Sequence, residues 1–264
     1  MKTIWLGTSW KMNKPLSEAM QWCEILAQRL GQVVHPDIQP FVIPPFTAIH
    51  PVSRYLQERH IRCLTGAQNM HEADSGPWTG EISADMLLEA GATLVELGHS
   101  ERRGAFNETD AAINRKVHSA LRHGLRPLIC IGDSAEEKSW QVSRETVVRQ
   151  MKIALHGLSR QQVVDTLVAY EPIWAIGEQG TPARPEQAGE IHRALRQGLC
   201  ELFGQETGLQ IPLLYGGSVD KQNAVELLQQ EDVDGLFIGR AAWDATGYCE
   251  IVQRVTQEFI LKSQ

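Results

Sequence analysis

The sequence predicts an α/β fold, a (β/α)8 TIM barrel formed by a single domain over residues 1–264. Two observations carry this prediction. Short apolar runs rich in β-branched residues recur eight times along the chain, and helical patterns lie between them. Division of the 264 residues among eight strand–helix units gives 33 residues each, the size of one βα unit with its loops. Such alternation requires parallel strands joined by helical crossovers.

The eight strand candidates follow one another through the whole chain. In order, they are residues 3–9, 38–44, 61–68, 93–98, 126–132, 166–172, 211–217 and 233–239. Residues 17–30 and 185–202 have helical patterns, and the second of these begins with a proline, which suits a first helical turn. An open, doubly wound sheet is the alternative architecture. The count of eight favours the barrel, and GTSWKMNK at the end of the first strand is not a glycine-rich nucleotide fingerprint.

Composition excludes several classes of protein. The formal net charge of −7 and the pI near 5.7 argue against a nucleic-acid-binding face, which needs clustered lysine and arginine. The five cysteines are scattered and form no CxxC pair, as expected for reduced thiols in a cytoplasmic protein. No segment approaches the roughly 18 apolar residues of a membrane span. Because no HExxH motif or other ligand spacing is present, we expect neither a metal nor a cofactor.

The functional residues of a barrel lie at the carboxyl ends of its strands. Glu171 directly follows the apolar run LVAY at the sixth strand. A carboxyl group buried there has a raised pKa and is a stronger base than an exposed one. On spacing alone, a glutamate that caps a helix or pairs with an arginine is an equally good interpretation.

His99 and Lys11 occupy similar positions at two other strand ends. His99 ends the fourth strand, where a neutral imidazole could donate to a carbonyl oxygen and pass a proton between neighbouring oxygens. Lys11 follows the first strand and could supply fixed positive charge to an anionic ligand or a developing enolate. Taken singly, most histidines are structural and most lysines are solvated, so the strand-end placement is what distinguishes these two.

The ends of the last two strands are rich in glycine. Gly216, Gly217 and Ser218 follow the seventh strand, and Gly239 with Arg240 follows the eighth. Exposed backbone N–H groups at these two positions form the usual phosphate site of barrel enzymes. A small phosphorylated ligand is therefore expected at this side of the barrel mouth.

These residues together closely resemble the triosephosphate isomerase family. The run from Ser9 to Asn13 matches the Asn-Trp-Lys-Met-Asn run of that family, and seven further motifs match in the same order. They are GAQN at 66–69, WTGEIS at 78–83, LGHSERR at 97–103, CIG at 130–132, YEPIWAIG at 170–177, YGGSV at 215–219 and DGLFIG at 234–239. Because the matches span the chain, the resemblance covers both the fold and the site.

The resemblance implies a role for each matched residue. Glu171 would be the base, His99 the neutral electrophile and Lys11 the electrostatic partner, held in place by Glu101. This pairing of a glutamate with a neutral histidine is characteristic of the family. The residues expected to hold the phosphate are Gly177, Ser218, Gly239 and Arg240. Residues 173–182 would form a lid that excludes water. The loop that runs from Asn69 to Glu81 would dock into a second subunit and make a homodimer.

The departures from the family pattern concern the substrate. Ser9 stands where the family has asparagine, Arg240 replaces a glycine, Phe237 replaces a leucine, and the lid tip at 178–182 lacks the Thr-Gly-Lys-Thr-Ala sequence. Glu96, inside the fourth strand, is also unusual. The shorter Ser9 removes bulk near the reacting atoms, adds a hydroxyl and makes room for one more carbon.

The run TSWKMNK, the altered lid and Arg240 are similar to the tetrulose-phosphate isomerases of bacterial erythritol breakdown, a branch of the family. This resemblance implies conversion of L-erythrulose 1-phosphate into D-erythrulose 4-phosphate. Triosephosphate isomerisation is the alternative. A catalytically silent barrel that only binds a sugar phosphate is a more remote one, because phosphate binding alone needs none of Lys11, His99 and Glu171.

Overall fold

The computed structural model of the chain describes residues 2–31, 34–176, 180 and 182–260. Eight parallel strands pair in chain order, and β8 pairs with β1 to close a barrel, which confirms the predicted fold class. The strands are β1 (Ile4–Ser9), β2 (Ile38–Ile43), β3 (Leu64–Ala67), β4 (Leu94–Leu97), β5 (Arg126–Ile131), β6 (Leu167–Tyr170), β7 (Leu213–Tyr215) and β8 (Gly235–Ile238).

Helices lie between the strands and surround the barrel. They are α1 (Leu16–Arg29), α2 (Phe46–Glu58), α3 (Ala84–Glu89), α4 (Ser100–Ala105), α5 (Asp110–His123), α6 (Ala135–Ser139), α7 (Ser143–Ala154), α8 (Arg160–Val163), α9 (Pro185–Phe203), α10 (Gln205–Gln210), α11 (Ala224–Leu228) and α12 (Ala245–Arg254). Single 3₁₀ turns occur at Ile173–Ala175 and Arg240–Ala242, and a π-helical turn at Val255–Ile260 ends the described chain. Among the described helices, none combines the length and the apolar character needed to cross a membrane.

Apolar side chains fill the barrel interior. Successive strand residues point to opposite faces, so every second residue of a strand faces inward. Phe41 lies inside the barrel directly against Gly7, where an added Cβ atom would come within 2.0 Å of the phenyl ring, so that only glycine fits. Phe237 stacks on Phe41 with 5.8 Å between the ring centroids. This packing closes the barrel below its carboxyl end and leaves a cavity at the mouth.

A charged network holds the opposite, amino-terminal end of the barrel. Asp234, at the start of β8, accepts hydrogen bonds from the Arg196 guanidinium at 2.5 Å and from the backbone N–H of Leu213 at 2.9 Å. Its other carboxylate oxygen lies 2.7 Å from the Lys2 ammonium. The same arginine also donates to the carbonyl oxygens of Gly208 and Ile211. The carboxylate is therefore buried with full compensation, and it ties α9 to β7 and β8.

Candidate active site

A cavity of about 490 Å³ opens at the carboxyl ends of the strands. It brings together the predicted site residues that the structure describes, although they are spread over more than 200 positions of the sequence. Those that line it are Ser9, Lys11, His99, Glu101, Glu171, Ser218, Gly239 and Arg240. Gly177 lies outside the described residues, and so does part of the predicted lid. The strand-end rule thus placed the described candidates at one site.

The segment after β1 is fixed on both sides of Lys11. Trp10 is fully buried and packs edge-on against Trp22, with 5.2 Å between the ring centroids. The Gln68 side chain donates to the carbonyl oxygen of Lys11 at 2.7 Å. Lys11 itself has a φ of 53°, in the left-handed region that costs a non-glycine residue about 1–2 kcal/mol. The surrounding contacts hold this conformation, which directs the lysine side chain towards the cavity.

Lys11 and Glu101 form an ion pair at the cavity wall. The lysine Nζ donates to Glu101 Oε1 at 2.7 Å. Burial acts to raise the pKa of Glu101, but the hydrogen bond and the positive charge of Lys11 outweigh it and lower that pKa below its ordinary value. Glu101 therefore stays ionised and holds the ammonium group over the cavity.

His99 is positioned as a neutral donor. It caps the N-terminus of α4, where its Nδ1 accepts the backbone N–H of Glu101 at 3.2 Å. Burial and then the nearby Lys11 charge lower the pKa of His99 to about 4, although Glu101 acts to raise it. Since Nδ1 is an acceptor, the ring proton lies on Nε2. That nitrogen is 3.5 Å from Glu171 Oε1, so its N–H faces the carboxylate across the cavity.

Glu171 is a buried carboxyl group at the end of β6. Its backbone N–H donates to the carbonyl oxygen of Ile131, which continues the pairing of β6 with β5. Burial, and then the negative charge of Glu96, raise the pKa of Glu171 to about 8, while Lys11 lowers it. Oε2 has no hydrogen-bond partner within the described part of the chain. Gly216 makes room for this side chain, because an added Cβ atom there would lie 2.8 Å from Glu171 Cγ.

Ser9 and Glu96 form a second buried polar pair, in which Ser9 lines the cavity and Glu96 lies behind it. The Ser9 hydroxyl donates to Glu96 Oε2 at 2.8 Å, and both residues are at most 5% exposed. Burial raises the pKa of Glu96 to about 7, although the Ser9 hydrogen bond and the Lys11 charge act to lower it. The sequence indicated that both residues are unusual, but it gave no sign that they touch. The pair places a second ionisable carboxyl group next to Glu171.

Two turns form the glycine-rich side of the cavity. Ser218 follows β7, and Gly239 precedes the 3₁₀ turn that begins at Arg240. An added Cβ atom on Gly239 would meet no atom of the described chain within 4 Å, so glycine there leaves cavity space open. Arg240 lines the cavity with an exposed side chain. The backbone N–H groups of these turns and the Arg240 side chain suit a phosphate group.

Asp133 is a residue that the sequence reasoning missed. It is fully buried just after β5, and its carboxylate accepts hydrogen bonds from Tyr170 Oη at 2.9 Å and Trp174 Nε1 at 3.0 Å. Trp174 belongs to the first part of the predicted lid. Because Asp133 lies at a strand end, the same rule that found Glu171 could have found it. It fixes the chain on either side of Glu171.

One group of potential metal ligands occurs among the described residues. Donor atoms of Glu96, His99 and Glu171 lie within 4.8 Å of one another, and all three residues are buried. A divalent cation bound there would take the carboxylate of Glu171 as a ligand and would displace the proton from His99 Nε2. Without a metal, the basic carboxylate of Glu171 and the neutral N–H donor of His99 both face the same small part of the cavity. Such a pair can move a proton between adjacent carbon and oxygen atoms of a ketose.

Comparisons with known proteins agree with this geometry. A family model described as triosephosphate isomerase matches residues 4–255. A protein of Rhizobium etli named L-erythrulose-1-phosphate isomerase is 47% identical over 254 residues, which cover 96% of this chain and 92% of that protein. Proteins of the same name from Rhizobium meliloti and Brucella abortus are each 46% identical, with 96% of this chain and 97% of each relative covered.

Proposed function

The chain belongs to the triosephosphate isomerase family, and we propose that it interconverts L-erythrulose 1-phosphate and D-erythrulose 4-phosphate through an enediol. The observation that carries the chemistry is the 3.5 Å approach of His99 Nε2 to Glu171 Oε1 in a buried site. The relatives that share 46–47% of its residues and are named for this tetrulose phosphate support the choice of substrate. The replacement of the family's asparagine by Ser9 supports it independently.

Proton transfer by Glu171 begins the reaction. The ionised carboxylate removes the hydrogen from C3, and the electron pair of that bond forms a C2–C3 double bond as the C2 carbonyl becomes an enolate. The Nε2–H of His99 and the ammonium of Lys11 stabilise the charge that develops on O2. Their neutral and cationic states follow from the lowered pKa of His99 and the ion pair with Glu101.

The second half of the reaction reverses these transfers on the neighbouring carbon. His99 Nε2 donates its proton to O2, which gives the neutral enediol, and the same nitrogen then takes the proton of O3. Protonated Glu171 then returns a proton to C2 while the C3 oxygen becomes the carbonyl. No group leaves and no oxidant is needed. The raised pKa of Glu171 suits both the removal and the return of the proton.

Charge complementarity positions the phosphate away from the reacting carbons. Ser218, Gly239 and Arg240 line the same cavity as His99 and Glu171, but they follow β7 and β8 and not β4 and β6. The backbone N–H groups there hold the dianion, and the predicted lid at 173–182, with Gly177, closes over it. Binding energy from the phosphate then orients C2 and C3 against the base.

The relative kcat/KM for two substrates tests this proposal. We expect the purified protein to convert L-erythrulose 1-phosphate with a higher kcat/KM than D-glyceraldehyde 3-phosphate. A pocket with room for one extra carbon discriminates by about 10- to 200-fold. A preference for the triose phosphate would contradict the proposal and would favour the alternative function, triosephosphate isomerisation. Both assays use one enzyme preparation, so differences in folding cancel.

We also propose that the protein is a cytoplasmic homodimer that docks through the loop from Asn69 to Glu81. Two large apolar side chains support this interface: Trp78 on that loop is 52% exposed, and Met12 after β1 is 95% exposed. Gln68, which directly precedes this loop, donates a side-chain hydrogen bond to the carbonyl oxygen of Lys11, which directly precedes Met12. This bond joins the two segments. All five cysteines are free thiols, as a reducing compartment requires. Light scattering of the native protein and of Trp78→Asp checks the assembly: a monomeric native protein would contradict it.

A further inference from the structure

Glu96 is a carboxyl group in a place where packing calls for an apolar residue. It lies on the barrel side of β4, two positions after Leu94, which packs with Trp5 and Phe41 in the apolar interior. Glu96 is only 3% exposed. Burial of an ionisable group costs several kcal/mol, and an apolar replacement of similar volume is often neutral or stabilising. Fold stability therefore gives no reason for this glutamate.

The contacts of Glu96 point towards the reacting groups. Ser9 donates to its Oε2, and Ser9 lines the cavity while Glu96 lies behind it. A carboxylate oxygen of Glu96 belongs to the cluster in which donor atoms of Glu96, His99 and Glu171 lie within 4.8 Å. The other charged or titratable groups that act on Glu96, or on which it acts, are Lys11, Glu101, Arg102 and Cys130.

The hydrogen bond to Glu96 determines what Ser9 offers to a ligand. A serine hydroxyl carries one hydrogen and two acceptor sites. Because that hydrogen is donated to Glu96, the Ser9 oxygen faces the cavity as a hydrogen-bond acceptor only. An acceptor of this kind forms a hydrogen bond with a ligand hydroxyl. A methyl group or a hydrogen atom at the same place cannot donate such a bond.

We propose that Glu96 is a positioning residue that orients Ser9 as the acceptor for the C4 hydroxyl of the tetrulose phosphate. The inference rests on the proposed function, and it names the residues that recognise the fourth carbon of the substrate. Ser9 contacts that hydroxyl, and Glu96 acts through Ser9. A triose phosphate lacks the hydroxymethyl group and leaves the oriented acceptor without a partner. Sites built to bind a substrate hydroxyl discriminate strongly against analogues that lack it.

An analogue that keeps the size of the fourth carbon but removes its hydroxyl separates this idea from simple pocket volume. The probe is 4-deoxy-L-erythrulose 1-phosphate, in which a methyl group replaces the hydroxymethyl group. For the native protein, we expect kcat/KM to be roughly 10- to 100-fold higher for L-erythrulose 1-phosphate than for this analogue, because the methyl group leaves the buried acceptor oxygen of Ser9 without a donor. Ser9→Ala and Glu96→Leu should each bring this ratio to within about threefold of one.

Two further variants complete the experiment. Glu96→Gln keeps an acceptor oxygen for Ser9 and should restore most of the selectivity lost in Glu96→Leu. Asp234→Asn is the matched control, a buried carboxyl changed to an amide at the far end of the barrel, and it should leave the ratio unchanged. If Glu96 has only a structural role, Glu96→Leu lowers kcat/KM equally for L-erythrulose 1-phosphate and for the analogue. That result would overturn the inference.

The failure of the inference and the failure of the proposed function give different results. A native protein that prefers the tetrulose over the triose phosphate, yet accepts the 4-deoxy analogue equally well, contradicts only the role of Ser9 and Glu96. Retention of the native ratio in Glu96→Leu contradicts it as well. A native preference for the triose phosphate contradicts the proposed function itself. Thermal unfolding of Glu96→Leu confirms that the barrel is intact, because loss of a buried carboxyl is not expected to destabilise it.

Discussion

The two ends of the barrel treat a buried carboxyl group in opposite ways. At the amino-terminal end, both oxygens of Asp234 are paired, with Arg196, Lys2 and a backbone N–H. At the carboxyl-terminal end, Glu171 has one oxygen without a partner in the described chain, and burial together with Glu96 raises its pKa to about 8. The first arrangement fixes an anion permanently. The second keeps a carboxyl group that can both release and accept a proton.

Because of this difference, the buried carboxyl groups at the mouth do not serve to stabilise the folded state. A paired carboxylate lowers the free energy of the folded state only if its desolvation is offset, as it is for Asp234. Glu171 and Glu96 are desolvated with little offset, which makes the mouth costly to fold and chemically active. Perturbed pKa values that cluster in a cavity are typical of functional sites. The mouth and the opposite end should therefore respond differently to the same kind of substitution.

The largest effect is expected at the base. Glu171→Gln keeps the shape of the side chain but cannot accept a proton, so kcat should fall by about 10²- to 10⁴-fold or more with either substrate. Because the substitution also removes a desolvated carboxyl group, the melting temperature should hold or rise. Steady-state kinetics and thermal unfolding on one preparation measure both. Retained activity in Glu171→Gln would assign the base to another residue.

The matching change at the other end should affect stability instead. Asp234→Asn removes the closer carboxylate partner of the buried Arg196 and leaves it only the contact with Asp232 at 3.2 Å. Breaking a buried pair in this way costs up to about 3–5 kcal/mol. The free energy of unfolding, measured by urea denaturation, should fall by that amount. At a temperature where the variant is folded, kcat should stay near the native value. A loss of kcat without a loss of stability would mean that the two ends are not separate in function.

The sequence was sufficient to predict which residues meet at the mouth, because strand ends meet wherever parallel strands close into a barrel. Observed strands begin and end within about three residues of the predicted ranges: β3 begins at Leu64 and not at residue 61, and β7 begins at Leu213 and not at residue 211. These apolar runs extend into loops that pack against the barrel. Ile61 illustrates this, since it is buried without belonging to a strand.

The contact between Ser9 and Glu96 could not be predicted in the same way. The two residues are 87 positions apart and lie on strands that do not pair with each other. Only side chains that cross the barrel interior bring them together, and no periodicity in the sequence reports such a contact. The network around Asp133 is a different case, because its partners Tyr170 and Trp174 come from the neighbouring strand β6 and the loop after it. The roles of the site residues stay predictions until activity is measured.

A smaller effect is expected from restoring the family's residue at the mouth. Ser9→Asn refills the space proposed for the fourth carbon and removes the acceptor oriented by Glu96. The kcat/KM for L-erythrulose 1-phosphate should fall by about 10- to 200-fold, and that for D-glyceraldehyde 3-phosphate should change much less. Equal losses for both substrates would mean that Ser9 is not what selects for size.

The smallest effect is a shift in pH dependence. As pH falls through the raised pKa of Glu171, the base becomes protonated and kcat/KM is lost. Glu96→Gln removes a negative charge that raises this pKa, while Lys11 and Glu101 still act on it, so the acid limb of the profile should move to lower pH. A profile of kcat/KM against pH between about 5 and 9 measures the shift. An unchanged or upward-shifted limb would show that Glu96 does not act on the base.

Isotope exchange tests the central claim most directly, that the mouth moves a proton between C2 and C3 of a tetrulose phosphate. L-Erythrulose 1-phosphate is incubated with the native protein in D₂O, and the product is examined by NMR. We predict D-erythrulose 4-phosphate with deuterium on the former carbonyl carbon, and no such product with Glu171→Gln. Isomerisation by Glu171→Gln at the native rate, or the absence of both isomerisation and exchange with the native protein, would contradict the account.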